Sequence, residues 1–512
     1  MSAHAVTGVR HVSKLTHPDL VVERYSVACK QRVVTIFSGV SPTRLLAVND
    51  PDIRTLECAL LERMYFYASK GQIYDIPEPP QVQLLEAMLP FTNKLLQIVR
   101  HSTPVSPADV PQMYSGRKRT IYSNALIKYN QTGLNRKHAV SKVFVKCEKT
   151  DPSKAPRCIN PRDPVYNLIL GTYIKPIEHR LYRAIAKCFG KGPVIMKGYN
   201  VQQVGRIVHD KWSQFTHPVA IGLDAARFDA HVSVPMLHWE HSIYMHIFRN
   251  CPKLRKLLSW QIDNKGVGYC QDGRLRFSVK GKRFSGDMNT ALGNCLIMCG
   301  MVYSYSKIRD VEIDLLNNGD DCVVILEREH LRKFCDGLSE WFFDNCGFRM
   351  TIEEPVYRIQ EIEFCQMHPI LTSNGWTMVR NINTAREKDS ICVGSFKNEI
   401  AWRKWLYAVG ECGLACNSGV PIMQEMYSMM MRVGLQSNVS RDTTMQTGMS
   451  MLRIGLDSKR SVVTDNARLD VFLAWGFTPD EQRAIENHYR TIQLDVSSYR
   501  LSDLCDIPVT LM

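Results

Sequence analysis

With 512 residues, 45% of them apolar and 22% charged, the chain is too long for one hydrophobic core and too apolar for a disordered chain. Its 64 Lys and Arg against 50 Asp and Glu leave a formal charge of +14, which favours a polyanionic partner, nucleic acid first. Its 17 cysteines are scattered, with no C-x-x-C pair, and this excludes a disulfide scaffold. Neither Cys365 with His368 nor Cys295 with Cys299 has the second pair that a zinc site needs.

In chain order, residues 1–19 have no apolar signal-peptide core, and the most apolar stretch, Cys295 to Tyr303, is far too short to span a bilayer. No transmembrane segment is expected. The prolines of IPEPP (76–80) and Pro104, Pro107 and Pro111 predict a segment boundary near 80–110. Between Arg136 and Arg162 stand eight Lys or Arg and two acidic residues, with Pro152, Pro156 and Pro161, which predicts a basic, weakly structured arm. PVAIGLD (218–224) reads as a buried strand that delivers Asp224 to a sheet edge, and a helix is predicted after Pro235. LRFSVKGKRF (275–284) alternates as a strand does, and the Gly loop at 285 feeds a helix of small residues. VEIDLLNNGDDCVVILE (311–327) predicts a hairpin with Gly319, Asp320 and Asp321 at its tip. A helix ending at Gly347, a hairpin around Asn374-Gly375 and a mostly helical region beyond about 381 complete the reading.

Joining nucleotides takes two hard cations about 3.5–4 Å apart, one on the attacking hydroxyl and one on the triphosphate. Mg²⁺ takes oxygen ligands and keeps several waters, so two or three converging carboxylates suffice. Asp224 at a strand end and Asp320-Asp321 at a hairpin tip are such a set. Gly-Asp-Asp alone carries little weight, because a solvated turn explains it equally well. Its order after an Asp-x4-Asp strand end and a Ser-Gly-x3-Thr-x3-Asn segment carries the weight.

In these stretches the chain resembles the polymerases of positive-strand RNA viruses, most closely the tombusvirus-like (Tombusviridae) replicases. GLDAARFDAHVS (222–233), SGDMNTALGN (285–294) and NNGDD (317–321) are similar to that family's motifs A, B and C. FVKCEKTDPSKAPRCINPRDPVYN (144–167) is similar to motif F, EIEFCQ (361–366) to motif E, and GECGLACNSGVPIMQ (410–424) belongs to the expected thumb. The resemblance runs from about 116 to 430.

It implies an α+β, closed right hand. An N-terminal extension (1–110) would pack on the fingers, with fingers at 111–217, a palm at 218–380 whose residues 255–284 lie partly in the fingers, and a helical thumb at 381–512. It also implies an RNA-directed RNA polymerase using ribonucleoside triphosphates, with Mg²⁺ or Mn²⁺ on Asp224, Asp320 and Asp321. Asp229, with Ser285, Thr290 and Asn294, would recognise the ribose. Lys146, Lys149 and Arg157 would line the nucleotide path, and Gly286 would let its loop move. Arg227 and Phe228 are given no chemistry.

The family's lysine proton donor has no counterpart in FRMTIEEP (348–355), where Thr351 stands in its place and Arg349 is a poor acid. RNA template and product, an auxiliary viral replication protein and host factors are the expected partners, at membrane-associated complexes in the host cytoplasm. Primer-independent initiation is expected on the same ground, as is origin from a longer readthrough product. A reverse transcriptase would carry a bulky residue at 229, and a non-catalytic basic RNA-binding protein would leave three aspartates idle.

Overall fold

In the computed structural model, which describes residues 3–41, 46–69, 72–190, 192–394, 396, 398–436 and 449–493, a four-stranded antiparallel sheet carries the three aspartates. Its order is Ile313–Asn318, Asp321–Glu327, Pro218–Ala225, Met350–Ile352. Both faces are covered, which is why its strands read as nearly continuous apolar runs. Val219, Ile221, Leu223, Val324 and Leu326 enter the largest core, shared with the helices Pro164–Phe189, Val234–Ile247 and Thr290–Ile308. Ala220, Leu316, Val323 and Ile325 face the other way, onto Val201, Val204 and Val208 of the helix Val201–Trp212. A buried Lys211–Asp314 ion pair, 2.6 Å long, lies on this side and ties that helix to the first strand of the hairpin.

A five-stranded sheet stands beside it, ordered Leu20–Arg24, Gly273–Lys280, Asp263–Cys270, Ser141–Val145, Cys158–Ile159. One face packs on the helix Ile53–Leu60 through Ile53, Leu56, Val143, Leu275 and Phe277. A third sheet joins Ala3–Thr7, Val33–Phe37 and Ile391–Val393 beside the C-terminal helices Glu399–Cys416 and Met423–Val433. No helix among the described residues is long and apolar enough to cross a membrane.

Several boundaries differ from the sequence reading. The segment after the proline cluster is the helix Gln81–Ile98, whose Leu84, Met88, Phe91 and Leu95 are sealed inside the largest core, so it belongs to the centre of the molecule. The N-terminal strands pack on two bodies, pairing with Gly273–Lys280 and with Ile391–Val393. The basic arm is more ordered than its prolines suggest, since Phe144 and Val145 pair with Ile159 and Cys158. Arg162, counted as part of that arm, is buried in an ion pair with Asp287.

The 275–284 strand stops at Lys280 because Gly281 and Lys282 both take positive φ (67° and 69°). The helix expected up to Gly347 does stop there, at φ of 74°, but it is broken at Gly337, where φ is 75°, into Leu331–Cys335 and Leu338–Trp341, the latter running on as the wider turn Phe342–Cys346. In the Met367–Thr372/Gly375–Arg380 hairpin Thr372 pairs with Gly375, so the loop is Ser373-Asn374. The C-terminal helical region expected to residue 512 lies partly outside the described residues.

Candidate active site

Asn318 pairs with Asp321, so the hairpin turns on two residues, Gly319 and Asp320. Gly319 has φ of 93°, which a side chain resists, and this is the glycine-first form of a tight hairpin turn. Asn317 fixes the turn, its Nδ2 donating to the Gly319 carbonyl (2.8 Å) and its Oδ1 accepting from the Gly319 N–H (3.1 Å). Asp320 therefore stands at the tip and Asp321 opens the return strand. Leu223 lies opposite Cys322, which sets Asp224 and Asp321 one step further on, at the adjoining ends of neighbouring strands.

The crowding has an electrostatic signature. Burial raises the Asp321 carboxyl above its ordinary range, and the charges of Asp320 and Asp224 push it the same way, while Lys197 opposes them. Lys197 donates to Asn318 Oδ1 (2.7 Å). Burial and neighbouring carboxylates, Asp224 and Asp321 among them, also raise Glu353, a residue the sequence reading passed over. Cys365 comes close to Asp321, but burial and that carboxylate push its thiol up to about 12, so it stays protonated. The donor set is thus oxygen, which suits a hard divalent ion. As the side chains stand, no three carboxylate, imidazole or thiol groups among the described residues are gathered closely enough to hold an ion.

A cavity of about 170 Å³ opens beside Asp320. Arg63, Arg157, Arg227 and Lys282 line it together with Asp229 and Ser285. Burial lowers the Arg63 guanidinium to about 10, and the charges of Arg227 and Arg157 add to that, while its buried Nε has no hydrogen-bond partner. Burial likewise lowers Arg227. Lys282 is pushed down to about 8 by burial. This is cationic charge crowded at a cost, the state expected of a pocket that awaits an anion.

On the cavity wall Asp229 accepts from Asn294 Nδ2 (2.9 Å), and Asn294 Oδ1 accepts from Arg283 Nε (2.9 Å). Arg283 pairs with Glu240, which also accepts from Tyr244 (2.8 Å) and Asn289 (2.8 Å). Burial lifts Asp229 to about 6, with Asn294 opposing and the Asp320 charge adding to the rise. Ser285 Oγ accepts from the Asn160 N–H (3.4 Å).

Other expected residues have different partners. The Thr290 hydroxyl donates to the Phe284 carbonyl (2.6 Å), a local bond at the helix start. Lys149 donates to the Lys388 carbonyl and is absent from the cavity wall. Lys146 and Arg157 both pair with Glu148, the acidic residue between them in sequence. Gly286 is needed for a reason other than loop freedom: a Cβ there would come within 2.5 Å of the Pro161 backbone. Arg349 is enclosed by the rings of Tyr67, Tyr74 and Phe343, with centroids 5.6, 4.8 and 4.8 Å from its guanidinium carbon.

The sequence reading does not single out Arg63, Lys197, Lys282 or Arg283, and it gives Arg227 no chemistry. The one signal in the sequence was the position of Arg227 between two motif aspartates. Phe228, the other residue left without chemistry, is buried and packs on Phe348 with ring centroids 4.9 Å apart.

Carboxylates at a hairpin tip and an adjoining strand end, opposed by unpaired guanidinium groups across a small cavity, suit a polyphosphate held against hard cations. The chain belongs to the viral RNA-dependent RNA polymerase family, whose model matches residues 20–497. It is 40% identical to the RNA-directed RNA polymerase of Turnip crinkle virus over 98% of this chain and 66% of that protein. It is 39% identical to that of Melon necrotic spot virus (93% and 61%) and 36% identical to that of Tomato bushy stunt virus (91% and 57%). The chain thus spans between about half and two thirds of the length of such relatives.

Proposed function

We propose that this chain is the polymerase portion of a positive-strand RNA virus replicase, which extends RNA on an RNA template from ribonucleoside triphosphates. The single observation that carries the reading is the placement of Asp224, Asp320 and Asp321 at one sheet end beside a cavity whose wall carries Arg63, Arg227 and Lys282 without ion-pair partners among the described residues. In right-hand terms the four-stranded sheet is the palm, the five-stranded sheet with its basic arm is the fingers, and the helices from Glu399 onward are the thumb. Mg²⁺, when bound to Asp224 and Asp320 with Asp321 assisting, supplies activation of the 3′-hydroxyl and neutralisation of the leaving pyrophosphate.

The residues of the chain do the rest. Arg63, Arg157 and Arg227 receive the triphosphate, and Arg157 exchanges its Glu148 partner for phosphate oxygens. Asp229, oriented by Asn294, accepts from the 2′-hydroxyl, and Ser285 lies on the same wall. Lys282 Nζ, with a proton affinity lowered toward neutrality, gives its proton to the pyrophosphate oxygen, the part that Thr351 and the enclosed Arg349 cannot play. Recruitment to membranes by an auxiliary viral protein and host factors, and initiation without a primer, rest on the family resemblance alone.

Labelled ribonucleotide incorporation on a short RNA template with Mg²⁺ or Mn²⁺ tests the reading against Asp320→Ala. Template-dependent product in the parent chain and none in the variant, with RNA binding retained by both, is the expected result. RNA binding with no product from either chain would favour the non-catalytic alternative.

A further inference from the structure

The five-stranded sheet buries one face and leaves the other in water. Along Asp263–Cys270 and Gly273–Lys280 the alternation is strict: Asn264, Gly266, Gly268, Leu275 and Phe277 point inward, while Lys265, Tyr269, Arg274, Arg276 and Lys280 are exposed. The register aligns these into rows. Tyr269 lies opposite Arg274, and Arg274 opposite Glu23; Val267 lies opposite Arg276 and beside Lys142. Phe144 follows on the Lys142 strand with its side on the same face. Tyr269 is 70% exposed and Phe144 47% exposed.

We propose that this outer face is a second RNA site, separate from the catalytic cavity, that binds single-stranded RNA by stacking bases on Tyr269 and Phe144. Charge complementarity selects the occupant. Five cations, Lys142, Lys265, Arg274, Arg276 and Lys280, share the face with two acids, Glu23 and Asp263. Glu23 holds Arg274 (2.8 Å) and lies 3.7 Å from Arg276, so it sets the guanidinium groups in place and leaves the face cationic. Aromatic rings set among cations on an open sheet fit bases and phosphates together, since rings take the base faces and guanidinium groups the backbone.

A duplex hides its base faces, so the rings discriminate in favour of a single strand. The sheet continues from Phe144 directly into Lys146 of the basic arm, so a strand held here leads toward the nucleotide path. The site stands whether or not the chain polymerises nucleotides, because none of its residues lines the catalytic cavity.

Native mass spectrometry of the full chain with an oligouridine of about eight nucleotides counts the sites, a length within the usual range for such surfaces. The parent chain is expected to take up two oligonucleotides, and Tyr269→Ser/Arg276→Glu only one. Affinity of the second site should fall about tenfold in Tyr269→Ser alone, with a duplex of the same length binding no differently in the two chains. Photo-crosslinking of 4-thiouridine RNA to the parent chain supplies a readout that needs no variant: adducts at Tyr269 or Phe144 support the site. One RNA per chain in both proteins, or crosslinks confined to cavity residues, overturns the proposal, as does equal weakening of duplex and single strand.

Discussion

At Asp229 burial and hydrogen bonding oppose each other: burial lifts the carboxyl to about 6, and donation from Asn294 only partly offsets it. A folded-state value above the unfolded one means that the folded chain binds more protons between about pH 6 and pH 4, so this residue destabilises the fold above that window and less within it. Relative to Asp229→Asn, which does not titrate, the parent chain should therefore gain about 1 kcal/mol of stability from pH 7 to pH 5. Urea unfolding of both chains without divalent cation, so that the charge of Asp320 stays in place, measures the gap. An unchanged gap would place Asp229 in water. Lys282 makes the complementary case. Lys282→Arg keeps a cation at the cavity but removes a proton donor that works near neutral pH, and turnover should fall about 100-fold with nucleotide KM little changed. A matched loss in KM would make Lys282 a phosphate contact only.

At the scale of elements, the Ser285–Asn294 segment is held by Arg162. This guanidinium pairs with Asp287, donates to the Ala139 carbonyl (2.6 Å) and to Asn264 (2.6 Å), and lies over the rings of Tyr166 and Phe284. Removing its partner leaves a buried unpaired cation, so Asp287→Ala should cost about 3–5 kcal/mol, read by chemical denaturation. A loss under about 1 kcal/mol would show that water reaches the site. The pair also marks what was legible in the sequence. The aspartates could be read because strand, turn and tip are local: an apolar run covered on both faces ends where its polar tip begins, and Gly319 supplies the turn. Arg162 reads as one more charge in a basic run, since only the packed fold shows that it points inward. Arg63 lies still further from view, because its role comes from the docking of the helical turn Leu61–Tyr65 against the short helix Phe228–His231, far along the chain. Thr290 shows the opposite case: its spacing in the motif is readable, yet its hydroxyl bonds to the nearby Phe284 carbonyl, a partner only the folded loop reveals.

Across the whole molecule, the N-terminal segment joins the five-stranded sheet to the C-terminal helices. Leu20–Arg24 extends the five-stranded sheet, while Val33–Phe37 pairs with Ile391–Val393 beside the C-terminal helices. Phe37 stacks on Trp402 and Trp405, with ring centroids 5.4 and 5.5 Å away, and Tyr489 donates to the Val40 carbonyl (2.6 Å). An N-terminal segment tied only to the five-stranded sheet would leave the C-terminal helices to move independently; this one couples them through strand pairing, the Tyr489 hydrogen bond and the buried Phe37 ring. Phe37→Ala removes that ring from a sealed core and should cost about 3–5 kcal/mol. The location of the loss is as informative as its size. Amide exchange should quicken in Ala3–Thr7, Ile391–Val393 and the helix Glu399–Cys416 together, while the four-stranded sheet keeps its protection. Faster exchange confined to residues 33–37 would mean that the N-terminal strands cap the sheet without coupling it to the C-terminal helices.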